Sequence, residues 1–294
     1  MSRLIKKFAI SASVAAGMTA LTGLPALAAS LGVDSDSVTG QHLTYCSDGT
    51  TTFLCDNNAA NWEAALSEDG NIELAGQGSS ADASGFGEFG FDLTTLTPGY
   101  INQSATKLSG TLGGTAIAFS SLTYDDWYGG PVDGYSNFAE KWMTEAWNDT
   151  STGVQNAFVS NGAADVNAAL LGVAATDYSF FRRISDPNVA YVNNDGGALN
   201  FALAGHYDHE SGFKFSEVVK LTIGEGDDAI TKFLYDFGQA EESGVYEESD
   251  GVSHTGIYRF TEKVDVPEPS TLLGLMAVGG ALAIGKGKKS NKDA

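Results

Sequence analysis

The sequence is poor in positive charge, and this scarcity excludes one large class of partners. It contains 16 lysines and arginines against 37 aspartates and glutamates, so its formal net charge is −21 at pH 7. Binding to DNA or RNA requires a basic surface that neutralises phosphates. We therefore expect no nucleic acid partner, and simple adsorption to anionic lipid is disfavoured for the same reason.

Cysteine, histidine and proline are also scarce. Two cysteines cannot build a cysteine-rich zinc framework, and four histidines leave few candidates for an imidazole metal site. Six prolines are too few for a proline-rich linker, and no internal repeat or low-complexity segment divides the chain. The length between the two terminal signals, about 240 residues, fits one sizeable β domain or two small ones. We therefore predict a single domain.

Established catalytic motifs are missing as well. The chain contains no G-x-S-x-G, no H-E-x-x-H, no Walker loop and no D-x-D-x-D-G calcium loop. Residues 85–90 spell G-x-G-x-x-G, but no apolar strand leads into them and no helix follows, so they do not predict a nucleotide site. Paired carboxylates for glycoside hydrolysis need a separation that only the fold can set. We predict no catalytic residues.

The N-terminus has the layout of a secretory signal peptide. A basic segment over residues 3–7 precedes an apolar, small-residue stretch over 8–24, and Ala26 and Ala28 form an A-x-A cleavage site. We predict export by the Sec machinery and cleavage by signal peptidase after Ala28, with Ala29 as the next best position. Residues 1–28 are thus the predicted signal peptide.

The C-terminus carries a second membrane signal. Pro267-Glu268-Pro269 keeps the chain extended, residues 271–285 carry no charge, and lysines follow between 286 and 289. A helix over 271–285 rises roughly 22 Å, so it crosses a ~30 Å hydrocarbon core only with local thinning or snorkelling lysines. The lysines place the tail in the cytoplasm by the positive-inside rule. The sequence predicts a transmembrane segment over 271–285.

These residues, in this order at the C-terminus, resemble the PEP-CTERM sorting signal of bacteria with an outer membrane. The resemblance covers 266–294 and implies that an exosortase-type membrane protease processes the chain near Pro267-Glu268-Pro269. It also implies an inner-membrane-anchored precursor, a final place at the cell surface, in the outer envelope or in the extracellular matrix, and exopolysaccharide as a partner. The alternative is an ordinary single-span anchor that is never cut. Runs at 185–188, 204–208 and 253–256 are similar to a group of uncharacterised exported proteins with this signal, which supplies no activity.

Residues 29–265 form the predicted extracytoplasmic domain, which is rich in strand patterns. In an exported protein, Cys46 and Cys55 around an Asp-Gly turn predict a disulfide across a hairpin. A second hairpin is predicted over 188–203. Apolar residues that alternate with polar ones predict further strands over 89–93, 115–124, 213–223, 231–237 and 254–260.

Helical patterns are fewer than strand patterns. Apolar residues recur at helical spacing over 59–66, and a helix over 138–148 begins after the N-cap Asn137. Weaker helical patches cover 153–160 and 164–171. We predict a β-rich α+β fold, an antiparallel β-sandwich-like body with one or two packed helices.

Two stretches are candidate ligand sites. His206, Asp208 and His209 could hold Zn²⁺ if a turn reunites them, but on a strand His209 points away from the other two, and polar residues at a hairpin tip are the simpler interpretation. Trp127 and Tyr128 lie next to glycines, in a loop setting where exposed rings could stack on sugars. Acidic clusters could bind Ca²⁺ weakly, although they fit solvated turns; they lie at 125–126, 227–228 and 247–250.

These observations predict where the protein is located in the cell and do not predict a reaction that it catalyses. We predict a non-catalytic, exported cell-surface or extracellular-matrix protein, associated with exopolysaccharide and without a cofactor. The alternatives are a carbohydrate-binding module that uses Trp127 and Tyr128, and a metal-dependent hydrolase built around residues 206–210.

Overall fold

The body of the chain forms two β-sheets that face each other across a shared core, with helices packed beside them. The computed structural model describes residues 29–67, 69–74, 104–175, 178–195, 197–207 and 212–264. At this level the predicted β-rich α+β, sandwich-like body is confirmed. Among the helices of these ranges, none combines the length and apolar character needed to cross a membrane. The predicted signal peptide, the strand predicted over 89–93 and the predicted transmembrane segment lie outside the described residues.

The strands divide into a larger sheet of nine and a smaller sheet of five. Their bounds are β1 (Ala29–Ser30), β2 (Val38–Thr39), β3 (Leu43–Ser47), β4 (Thr51–Cys55), β5 (Asn71–Glu73), β6 (Lys107–Leu112), β7 (Thr115–Ser120), β8 (Asn188–Asp195), β9 (Ala198–Gly205), β10 (Val219–Ile223), β11 (Ile230–Leu234), β12 (Glu241–Glu242), β13 (Tyr246–Glu247) and β14 (Gly256–Lys263). The larger sheet has the order β12-β14-β9-β8-β5-β3-β4-β13, with β1 added to β8, and the smaller sheet has the order β11-β10-β7-β6-β2. Neighbouring strands are antiparallel except β13 and β4.

Alternating side chains of the central strands fill the space between the sheets. In β9, Leu199, Phe201 and Leu203 are fully buried on one face, as the period of two along a strand requires. Phe201 meets Phe119 of β7 edge to face, with ring centroids 4.9 Å apart. This contact joins the two sheets directly, and burying each such side chain stabilises the fold by about 1.5–3 kcal/mol.

The predicted number of helices is an undercount for the described part of the chain. The helices are α1 (Ala59–Ser67), α2 (Tyr124–Tyr128), α3 (Phe138–Asn148), α4 (Val154–Ser160), α5 (Val166–Ala175) and α6 (Ser179–Arg183). Helix α3 begins where the sequence predicts, because the Asn137 side chain accepts a hydrogen bond from the Glu140 amide at 2.8 Å. Helices α2 and α6 have five residues each, which is too short to show a helical period.

Aromatic side chains from these helices build a second core. Trp127 of α2 stacks between Phe138 of α3 and Phe181 of α6, with centroids 4.8 and 4.3 Å away. Trp142 of α3 is fully buried beside them. Phe233 of β11 stacks on Phe138 at 4.5 Å, so the second core also binds the helices to the smaller sheet.

Three predicted strands are shorter than the sequence indicates, and the one predicted over 231–237 ends as β11 at Leu234. The strand predicted over 213–223 is reduced to β10, because Phe213 and Phe215 pack against the second core instead of joining a sheet. The strand predicted over 115–124 ends with β7, because Thr123 forms a capping box that starts α2. The hairpin predicted over 188–203 is confirmed as β8 and β9.

The disulfide between Cys46 and Cys55 is confirmed. It links β3 to β4 with an S–S distance of 2.08 Å and a sequence separation of nine positions. The chain-entropy model assigns a loop of this size about 2–3 kcal/mol of stabilisation, through restriction of the unfolded chain.

We expect the double variant Cys46→Ser/Cys55→Ser to lose about 2–3 kcal/mol of unfolding free energy, because its unfolded chain regains that freedom. Urea denaturation of the oxidised wild type and the variant measures the loss. A thiol reductant should destabilise the wild type to the level of the variant and leave the variant unchanged. Equal denaturation midpoints for the oxidised wild type and the variant would contradict this account.

Candidate functional site

An extended cavity of the described residues is a groove on the larger sheet, on the face turned away from the shared core. We call it the outer groove; its volume is about 730 Å³. Strands β8, β9 and β14 cross it, and the end of α1, β5 and the segment 243–254 close its sides. The same alternation that buries Phe201 and Tyr258 on the core face turns their neighbours toward the groove.

The floor of the outer groove is apolar and is formed largely by short side chains. Ala190 and Ala204 line it and cluster with the fully buried Ala202, and Tyr191 and Ile257 pack against this cluster. Alanine projects one methyl group from the sheet, so longer side chains on either side stand above the floor. The result is a concave surface with an apolar base and polar walls, as is usual for small-molecule sites.

One wall is a row of hydrogen-bonding side chains across three adjacent strands. Asn193 of β8 is paired with Asn200 of β9, which is paired with Thr261 of β14. The Thr261 hydroxyl donates to Asn200 Oδ1 at 2.8 Å, and Asn200 Nδ2 lies 3.5 Å from Asn193 Oδ1. All three side chains line the groove.

A second row holds the arginine of the groove. The Arg259 guanidinium donates to Glu241 at 2.9 Å and to the Tyr191 hydroxyl at 2.8 Å, and it lies 5.4 Å from the centroid of the Tyr191 ring. The hydrogen bond to Glu241 is the main reason why the pKa of Arg259 is raised. The arginine charge is therefore already balanced within the protein.

Two buried polar side chains lie at the β5 end of the groove. Asn71 is 1% exposed, and within the described residues neither of its amide atoms has a hydrogen-bond partner. His254 bonds Thr52 Oγ1 through Nδ1 at 2.8 Å and meets the Tyr45 ring edge-on at 4.5 Å. Burial lowers the pKa of His254 to about 4, so the imidazole is neutral near pH 7.

Three carboxyl groups cluster beside the groove without lining it: Glu73 of β5, Asp186 before β8 and Glu217 before β10. Burial raises the pKa of Glu73 to about 7, against the opposing effect of a hydrogen bond from Tyr45. Burial also raises the pKa of Asp186 and of Glu217 well above the usual range, and the neighbouring carboxylates add to the rise. Asn188 donates its backbone amide to Glu217 at 3.0 Å.

The aromatic pair predicted to stack on sugars is not an exposed platform, which corrects the sequence-based prediction. Trp127 is fully buried and donates its indole N–H to Ser185 Oγ at 2.8 Å. Tyr128 is half-buried and stacks on Tyr124 at 4.9 Å, against the second core. The Asp-Asp-Trp-Tyr stretch forms a helix rather than a loop, so its large rings turn inward.

The structure describes only some of the predicted metal ligands. The structure describes His206, whereas Asp208 and His209 lie outside the described residues. Asp126, one of the predicted weak Ca²⁺ ligands, accepts a hydrogen bond from Lys220 at 2.6 Å, and the 227–228 pair is exposed. Within the described ranges, no group of three or more histidine, cysteine, aspartate or glutamate side chains could hold a metal ion.

The outer groove was not predicted from the sequence. The β8–β9 hairpin was predicted, and alternation along that hairpin already separates Asn193 and Asn200 from the buried residues. Their partner Thr261 is 61 positions from Asn200 in the sequence, and no local sequence pattern predicts that pairing. The long-range strand order therefore creates this site.

Both ends of the folded body reach the same hairpin. Ala29 of β1 pairs with Asn194 of β8, and the Val264 amide donates to the Gly197 carbonyl in the β8–β9 turn at 3.1 Å. The predicted processing and sorting residues lie outside the described residues: Ala26, Ala28, Pro267, Glu268 and Pro269.

Because Trp127 belongs to the second core, we expect Trp127→Ala to lower the unfolding free energy by about 3–5 kcal/mol. The matched control is Trp147→Ala, since Trp147 is only partly buried against the same core and should cost clearly less. Thermal or urea denaturation measures both. Similar losses in the two variants would contradict the burial of Trp127.

The raised pKa of Glu73 predicts a pH-dependent stability. Its folded-state pKa of about 7 lies above the ordinary value of 4.5, so this group's stabilisation is complete below 4.5 and is lost as the pH rises through about 7. Glu73→Gln removes this titration. The unfolding free energy of the variant minus that of the wild type should therefore rise across this window, by about 3 kcal/mol at most.

Urea denaturation at about pH 5 and about pH 8 tests the Glu73 prediction. Glu242→Gln, an exposed site, controls for the loss of one negative charge. Asp186 and Glu217 face the same region and remain in both variants. A variant-minus-wild-type difference that stays constant with pH would contradict the assignment.

Comparison with known proteins identifies the tail of the chain. A family model of the PEP-CTERM protein-sorting motif matches residues 265–289. No curated protein and no solved structure matches the chain. The predicted resemblance is confirmed: the chain carries a PEP-CTERM sorting signal, the mark of an exported, membrane-anchored precursor that an exosortase sorts to the cell surface.

Proposed function

We propose that this chain is a non-catalytic protein of the cell surface or extracellular matrix that associates with exopolysaccharide. It is exported by the Sec machinery, cut by signal peptidase after Ala28 and released from its C-terminal anchor near Pro269. The sorting motif carries the proposal, because its match begins one residue after Val264, the last residue that the structure describes.

The fold agrees with processing close to the membrane. Val264 is 4% exposed and hydrogen-bonded to the β8–β9 turn, so the body is ordered up to this residue. Pro267 follows three positions later, and an extended chain of that length spans about 10 Å. Since β1 starts at the same hairpin, a precursor held by both of its terminal signals would present this end of the body to the bilayer.

A carbohydrate-binding module is the second candidate function, and it shares the same surface. The outer groove favours it through its amide and hydroxyl walls, whereas Trp127 does not contribute. The carboxyl groups with raised pKa do not line the groove. This separation supports a binding role over a hydrolytic one, because a glycoside hydrolase needs its general acid beside the glycosidic bond that it cleaves.

Intact mass and terminal peptide mapping of the protein from its native envelope and medium test the sorting proposal. We expect loss of residues 1–28 and a new C-terminus near Pro269. A Pro267→Ala/Glu268→Ala/Pro269→Ala variant should keep its lysine-rich tail, because the protease no longer finds its extended motif. A wild-type protein that keeps the tail would be a plain single-span membrane protein, and the processing proposal would then be wrong.

A further inference from the structure

We propose that the outer groove binds a chain of neutral glycan, with Asn193, Asn200 and Thr261 as its hydrogen-bonding edge. The inference rests on the proposed association with exopolysaccharide and adds the binding site and the chemical class of the ligand.

The cross-section of the outer groove matches an amphiphilic ligand. Its floor of Ala190 and Ala204 is apolar, while asparagine, threonine and serine side chains stand at its sides. A sugar ring has the same division, since C–H groups cover its faces and hydroxyl groups surround its edge. A purely apolar ligand would leave the remaining donors and acceptors of the polar walls unpaired, at a cost of about 1–3 kcal/mol for each buried group.

The row formed by Asn193, Asn200 and Thr261 suits a chain of hydroxyl groups. Adjacent strands are about 4.8 Å apart, so the row extends for about 10 Å across β8, β9 and β14. An asparagine amide offers both a donor and an acceptor, and a threonine hydroxyl does the same. A sugar hydroxyl also has both roles, so the row can exchange donors and acceptors with successive hydroxyl groups of one glycan.

Asn71 supplies a further reason for a hydroxylated ligand. Its side chain lies at the groove, 1% exposed, with donor and acceptor unpaired within the described residues. Burying an amide in this state costs about 1–3 kcal/mol. A hydroxyl group that reaches this amide supplies the missing acceptor and the missing donor together.

The charges of the groove select a neutral glycan over an acidic one. Among the described residues that line the groove, Arg259 is the one arginine or lysine, and it is engaged by Glu241 and Tyr191. Asp69 and Asp195 are exposed at the rim and repel carboxylate or phosphate groups. Along the described lining of the groove, an acidic glycan would therefore meet repulsion without a free cation to offset it.

Affinity electrophoresis of the protein recovered from its native envelope and medium tests the inference. The probes are the exopolysaccharide of the same culture, separated into a neutral and an acidic fraction by anion exchange. We expect the neutral fraction to retard the wild type. The double variant Asn193→Ala/Thr261→Ala should bind about five- to tenfold more weakly, because two hydrogen-bonding side chains are lost.

The matched control is Thr222→Ala/Thr231→Ala, which removes a cross-strand polar pair from β10 and β11 of the smaller sheet. It should bind like the wild type. Because Asn193 is only partly exposed, Thr261→Ala alone, at an exposed position, is a second groove variant that preserves the fold and should still bind more weakly. Circular dichroism checks folding of each variant.

The outcomes of the electrophoresis distinguish the proposal that the groove is the binding site from the proposal that the protein associates with exopolysaccharide. Equal retardation of the wild type and both groove variants would overturn the groove as the site and leave the association with exopolysaccharide intact. Retardation by the acidic fraction alone would overturn the neutral class of ligand. If neither fraction retards the wild type, the proposed association itself is wrong, while the sorting result from intact mass stands independently.

Discussion

The structure depends on the division of β8, β9 and β14 into a buried face and an open face. Phe201 and its neighbours on the core face meet the smaller sheet, and the Phe119–Phe201 contact holds the two layers together. The side chains between them have no place in that core, and they form the outer groove. One alternation therefore produces both the stability of the sandwich and its candidate binding surface.

The second core buries the large aromatic side chains away from the outer groove. Trp127, Phe138, Trp142 and Phe181 concentrate the large aromatic rings between the helices and the smaller sheet. The larger sheet can then keep alanines on its open face, because another part of the molecule supplies much of the apolar burial. The same packing explains why Trp127 is a structural residue rather than an exposed ring.

The end of the body links the fold to the sorting signal. Strand β14 supplies Thr261 to the groove, and Val264, the residue after the strand, donates its amide to the β8–β9 turn. The sorting motif begins at the next residue. The groove residue Thr261 and the start of the sorting motif are thus four positions apart in the sequence, so β14 forms part of the candidate binding surface and leads toward the sorting motif.

The sequence by itself determined the features that depend on neighbouring residues. They include the sorting signal, the Cys46–Cys55 bridge, the β8–β9 hairpin and the cap at Asn137. Only the tertiary structure decided which strands are adjacent, where Trp127 lies and which carboxyl groups meet. Alternation states which residues of a strand share a face, but it does not state which distant strand pairs beside them. The Asn200–Thr261 contact and the cluster around Glu73 arise from such long-range pairings, and for that reason local patterns could not predict the groove.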